Sequence, residues 1–210
     1  MPRTVSKNGV AGRQVVSDKR EAILRAAIHV FARRGYFNSK VADIAGEAGV
    51  ADGTVYLYFK GKDDILHSIF DRAMAEFIAE GKTEIDRLDS AEAKLARIAE
   101  LHLERLGADR DLAVVFQVEL RGSTKFMQEF SAAGFREYLD IIRSTIAEGQ
   151  RQHAFRSDVK AIVAAKIFYG AIDEMVTNWV LSDKHYPLRP MADEVVKMLF
   201  DGMRANDRGR

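Results

Sequence analysis

The side chains able to do covalent or metal chemistry in this 210-residue chain do not form sets. There is no cysteine, so neither disulfides nor thiolate metal sites are possible. No His stands at metal-ligand spacing from an Asp or Glu. No Gly-x-Ser-x-Gly elbow, phosphate-binding glycine loop or dinucleotide fingerprint occurs. The expectation is therefore no catalytic residue, no metal ligand and no cofactor. Three polar groups stand in apolar surroundings instead. His102 lies on an apolar helix face, either as a core imidazole bonded to a neighbour or as a polar group inside a ligand cavity. Asp173 and Glu174 interrupt the most apolar helix, and either meet partners across a subunit interface or line the same cavity. His153 and His185 fall in polar stretches and read as solvated.

A different chemistry is written in residues 41–62, VADIAGEAGVADGTVYLYFKGK. Val41, Ile44, Ala45 and Ala48 recur at helical spacing and give a first short helix one apolar face. Gly49 follows where a left-handed residue is least costly, and Val50 is placed to plug the turn. Asp52 can cap a second helix whose inner face carries Val55 and Phe59. Its start (Asp52, Gly53) and its outer face (Thr54, Tyr56, Leu57, Tyr58 and Lys60) are then left for a partner. This arrangement suits a helix-turn-helix whose second helix enters the major groove of DNA. Ser39, as N-cap of the first helix, and Lys40 are placed to meet phosphates, and Lys62 opens the next helix.

Charge agrees with that placement. Residues 1–62 hold 11 Lys and Arg against 5 Asp and Glu, a net of +6, whereas the whole chain is only +1 and the remainder is −5. Clustered cations gain by releasing the counterions of a duplex, and an acidic remainder should face away from it. A hydrophobic content of 47% supports a sizeable core. No apolar run is long enough to cross a membrane, and the N-terminus does not resemble a secretory signal, so a cytoplasmic protein without membrane contact is the expectation.

The other elements read as helices throughout. Residues 1–16 lack periodicity and are expected to form a disordered basic tail, passive or touching DNA. Residues 18–35 carry the stripe Ile23, Ala26, Ala27, Val30 and Phe31, and Tyr36 and Phe37 are expected to pack toward the helix-turn-helix core. Residues 62–88 form one long helix, a lever between a ligand site and the DNA-reading helices. Further helices are expected over residues 90–106, 111–121, 125–148, 158–181 and 190–203. Residues 158–181 show two apolar stripes, one with Phe168, Ile172 and Trp179, the other with Ile162, Tyr169, Val176 and Val180. A helix apolar all round must be covered all round, which predicts a two-fold homodimer built on residues 158–205.

The segment AGEAGVADGTVYLYFKGKDDIL, with Phe31, Ala32, Gly35 and Tyr36 before it, resembles the DNA-binding signature of the TetR family of bacterial regulators. The resemblance implies an all-α, TetR-like fold. Residues 17–63 would be a three-helix helix-turn-helix domain, and residues 64–210 an effector-binding and dimerisation domain whose last two long helices form a four-helix bundle with a second subunit. LAVVFQVELRGS at 112–123 and IFYGAIDEMVTNWVLSD at 167–183 narrow it, because they resemble the FadR branch. That branch represses fatty-acid degradation genes and leaves DNA when long-chain acyl-CoA binds. The implied partners are a palindromic double-stranded operator, a second copy and a small-molecule effector. Candidate effector residues are His102, Val115, Phe116, Glu119, Arg121, Phe135, Tyr138, Ile142, Phe168, Ile172, Asp173 and Trp179, with Arg105, Arg136 and Lys166 as further candidates for the CoA head group. The alternative keeps the DNA-binding end but assigns a drug or other amphipathic effector and an efflux gene.

Overall fold

The structure, a computed structural model, describes residues 8–121, 133–184 and 186–204, with side chains from residue 18 onward. Among the described residues it is all-helical, and the one strand-like feature is an isolated bridge between Phe155 and Arg204. The chain divides into two compact units, Met1–Phe70 and Asp71–Arg210.

In the first unit α1 (Asn8–Arg34) packs on α2 (Val41–Glu47), which is followed by α3 (Asp52–Tyr56). The stripe is as spaced: Ile23, Ala27, Phe31, Ile44, Ala45 and Val55 are fully buried. Helix α1 begins at Asn8, ten residues earlier than the periodicity places it. Extending a formed helix costs no new nucleation, so residues without an apolar stripe can join it. The part of the expected irregular tail before Asn8 lies outside the described residues. Gly35 (φ 77°) and Gly49 (φ 66°) both adopt the left-handed conformation that ends α1 and α2. Val50 is half-buried, whereas Phe37 is 67% exposed and does not pack inward as expected. Helix α4 (Lys62–Ile85) runs through the division between the units.

In the second unit α5 (Ala91–Ala108) is capped by Ser90, whose hydroxyl accepts from Ala93 N at 3.1 Å. Helix α6 (Arg110–Val114) runs on into a π-helical turn, Val115–Glu119. Then come α7 (Gly134–Arg151), α8 (Ala161–Leu181) and α9 (Met191–Met203). The expected start of α7, in residues 125–132, lies outside the described residues, as does His185. Pro190 is the N-cap of α9, one residue before the helix, whereas the sequence reading begins that helix at residue 190 itself. Helix α8 packs against α5, α6, α7 and α9, which explains why both of its apolar stripes exist: Phe168, Ile172 and Val176 are fully buried, and Trp179 and Val180 nearly so. Ile162, at the start of the second stripe, is exposed instead, and so are three apolar residues outside both stripes, Val163, Ile167 and Leu181, with Met198 of α9 80% exposed.

Candidate nucleic-acid interface and effector site

Helix α3 is five residues long, and its N-cap is Ala51, so Asp52 stands in the first turn, where its charge suits the helix dipole. Val55 and Phe59 anchor it, and the Phe59 amide closes onto the Val55 carbonyl at 3.0 Å. The anchors leave Tyr56 58% and Leu57 81% exposed, with Lys40, Asp52, Gly53 and Lys60 also exposed and Thr54 and Tyr58 intermediate. Large apolar and aromatic side chains standing in water on a short helix after a tight turn are costly unless a partner covers them.

Besides Asp52, which is not the cap expected of it, two of the ten DNA candidates are placed differently from expectation. Ser39 is only 3% exposed, and its hydroxyl donates to the Gly35 carbonyl at 2.7 Å. The N-cap of α2 is Lys40, whose amide is held by the Asp43 carboxylate at 2.8 Å. Lys62 is half-buried over the Tyr36 ring, 4.3 Å from its centroid. Its ammonium donates to the carbonyls of Tyr36 (2.6 Å) and Ser39 (2.9 Å), with Phe37 O at 3.5 Å. An ammonium has three donors, and these carbonyls occupy them. Lys62 therefore shapes the loop before α2 rather than reaching outward. Tyr36 completes the lock by donating to Asp63, and its burial, reinforced by that carboxylate, drives its pKa far up and keeps it protonated. Sequence reasoning misses this clasp, although it points to both Tyr36 and Lys62.

In the second unit a polar knot sits among apolar helices. Asp173 is buried and accepts from Gln117 Nε2 (2.8 Å), Tyr169 Oη (3.1 Å) and the Arg121 guanidinium. Thr177 donates to Gln117 at 2.9 Å. Burial alone would lower the Arg121 pKa, but the bond to Asp173 and its charge outweigh that and raise it. The half-exposed side of Arg121 carries the knot to the surface. Beside it His102 is only 7% exposed, its Nδ1 3.1 Å from Tyr138 Oη. Burial pushes His102 down to about 4, a shift that Asp173's charge opposes without cancelling, so the ring is neutral at pH 7. The rings of Phe77, Tyr138 and Tyr169 surround it at centroid distances of 5.9–6.1 Å, and Phe135 packs on Tyr169 at 4.9 Å.

The structure thus brings His102, Arg121, Phe135, Tyr138 and Asp173 together. Val115, Ile142, Phe168 and Ile172 are fully buried in the same unit, and Phe116 and Glu119 are intermediate on the π turn. Trp179 stands apart: its indole donates to the Tyr186 carbonyl at 2.9 Å, and the Arg110 guanidinium lies 5.0 Å above its ring. Glu174 is exposed, with its carboxylate bonded by Asn178 at 2.6 Å. Arg105 pairs with Glu80, while Arg136 and Lys166 are exposed. Gln117 belongs to the knot without having been expected there; its signal is a single amide inside an otherwise apolar run. A mostly apolar cavity of about 280 Å³ lies farther along the α7–α8 seam, lined by Ile146, Phe155, Ala164, Ile167, Phe168 and Met198 among others, with Gln150 and Arg156 as its polar groups. Among the described residues no cluster of His, Asp and Glu could hold a metal ion, and no helix is long and apolar enough to cross a membrane.

A short helix with an exposed outer face after a tight turn in a basic unit, followed by a second unit that is helical in its described residues, is the arrangement of a helix-turn-helix regulator. Comparison with known proteins makes this specific. The profile of bacterial regulatory proteins of the tetR family matches residues 23–69, and that of the YsiA-like C-terminal region matches residues 70–202. The chain belongs to the TetR family of transcriptional regulators. It is 38% identical to the fatty acid metabolism regulator protein of Bacillus subtilis over 86% of this chain and 93% of that one. Among solved structures, the fatty acid degradation regulator FadR of Bacillus halodurans superposes with a TM-score of 0.84 at 34% identity, covering 90% of this chain and 97% of that one. FadR of B. subtilis, solved in complex with stearoyl-CoA, superposes with a TM-score of 0.82 at 37% identity over 87% and 98%.

Proposed function

We propose that this regulator is a homodimeric repressor of fatty-acid metabolism genes that leaves a palindromic operator when a long-chain acyl-CoA binds its second unit. The observation that carries the reading is the likeness, over nearly the whole chain, to a regulator solved with stearoyl-CoA. The second unit's chemistry supports it. An acyl-CoA joins a polyanionic head to a long apolar chain. Here a half-exposed guanidinium leads into a buried polar knot, which adjoins a seam of Ile142, Phe168 and Ile172 and, beyond it, an apolar cavity. On this reading Lys40, Lys60 and Tyr58 meet phosphates, and Thr54, Tyr56 and Leu57 face base edges. Dimerisation rests on the exposed apolar residues of α8 and α9 and places two reading helices about one turn of DNA apart, roughly 34–36 Å. The effector acts by preferring a dimer geometry that does not match that spacing, so its differential affinity is the coupling.

The test is operator binding by fluorescence anisotropy during titration with acyl-CoAs of eight to eighteen carbons, with calorimetry of the same ligands. Affinity should rise with chain length, since each buried CH₂ contributes about 0.8 kcal/mol, and operator release should follow it. Binding without a trend in length, or release by multidrug dyes and not by acyl-CoA, would refute the acyl-CoA reading.

A further inference from the structure

His102 holds a buried polar atom that the fold leaves unused. Its Nδ1 faces the Tyr138 hydroxyl, while Nε2 is enclosed and, among the described residues, has no hydrogen-bond partner. Leaving such an atom unpaired is expensive, and native interiors rarely do so without a use. The tautomer follows from Tyr138. Its phenol is buried, and among the described residues the one hydrogen bond it makes is with His102. If Nδ1 carried the proton, both the phenol proton and the Nε2 lone pair would be stranded. If the phenol donates to Nδ1, a single group is stranded, the N–H on Nε2. His102 therefore presents a neutral, fixed donor whose complement is an oxygen acceptor. Its position selects which oxygen. Arg121, half-exposed, marks the wet side of the knot through Asp173, whose charge acts on His102. On the apolar side the α7–α8 seam continues from Tyr138 to Ile142 and Ile146 at the cavity wall.

We propose that His102 Nε2–H donates to the thioester carbonyl of the bound acyl group, making His102 the residue by which the site distinguishes an acyl thioester from a merely apolar chain on the same head. This rests on the acyl-CoA reading above. A ligand entering with its head near Arg121 and its tail along the seam carries one oxygen at the junction of polar and apolar, and that oxygen is the carbonyl. Tyr138 is a positioning residue here: it holds the ring and the tautomer.

The experiment compares palmitoyl-CoA with S-hexadecyl-CoA, a thioether of equal chain length with CH₂ in place of the carbonyl. The wild-type protein should bind the thioester roughly tenfold more tightly, the effect of one buried hydrogen bond. His102→Phe should bind both ligands alike, and His102→Gln, which keeps an N–H donor, should recover part of the difference. A second readout is the infrared carbonyl band of palmitoyl-CoA carrying ¹³C at the thioester: it should move to lower frequency on binding wild-type protein and not on binding His102→Phe. Equal wild-type affinity for thioester and thioether, or no band shift, overturns the role of His102 while the acyl-CoA reading stands. If the wild-type protein binds neither ligand, the acyl-CoA reading falls and this inference with it. Should His102→Phe fail to fold, the wild-type ligand pair and band shift still decide.

Discussion

His102 and Lys62 show how burial changes what a side chain can do. In the unfolded chain His102 titrates near 6.5; folded, it is pushed down to about 4. Between those values the unfolded state holds the extra proton, so stability falls as pH drops through that window and is fully present above it. Such a shift corresponds to something on the order of 3 kcal/mol. Thermal melts of the wild type should therefore lose ground between pH 6.5 and 4, and His102→Phe should lose measurably less over the same range. Lys62 makes the opposite point. Its charge suggested a phosphate partner, but its donors are directed to backbone carbonyls. Lys62→Met is expected to lower the melting temperature and operator affinity together, and to leave the slope of log affinity against log salt unchanged. Lys60→Ala, by contrast, should reduce that slope by about one, the effect of one phosphate no longer neutralised, with little change in stability.

The helices meet at points where one residue decides the fit. Gly149 lies in α7 against the Phe155 ring, and a Cβ there would overlap that ring and stand 2.9 Å from Ala91 Cβ. Gly149→Ala should cost about 1–3 kcal/mol by overpacking, read as a lowered urea midpoint at unchanged m-value. Arg110 does comparable work at the end of α8. It donates to the carbonyls of Trp179, Val180 and Ser182 at 2.8–3.0 Å, satisfying groups that a helix C-terminus otherwise leaves to water. The π turn at Val115–Glu119 turns Gln117 inward to Asp173. No periodicity argument would find it, because an extra residue in one turn leaves the apolar run looking like an ordinary helix.

For the dimer proposed above, the surface that matters is the apolar residue set left uncovered. Ile167 is 56% and Met198 80% exposed on α8 and α9, while Trp179 is 6% exposed inside its own subunit. Ile167→Glu combined with Met198→Glu should give folded monomers in sedimentation and abolish cooperative operator binding. Trp179→Glu should instead give unfolded or insoluble protein, because it buries a charge in the intrachain core. Folded, dimeric Ile167→Glu/Met198→Glu protein would remove this face from the interface.

Much of this is legible in the chain itself. Ile44, Val55 and Phe59 announce the helix-turn-helix because spacing and glycine punctuation are local properties, decided by residues three or four apart. Net charge alone separates a basic N-terminal stretch, residues 1–62, from an acidic remainder. What periodicity cannot state is what a face is turned toward. The two stripes of α8 share the look of an interface, yet helices drawn from residues 91 to 203 cover most of both, leaving Ile162 exposed, and the exposed row at Val163, Ile167 and Leu181 emerges only from that packing. The knot of Gln117, Arg121 and Asp173 joins residues more than fifty positions apart. Lys62 likewise answers to carbonyls over twenty residues away. Pairings of that kind exist only once the chain has folded, because through-space proximity, not sequence spacing, chooses a polar group's partner.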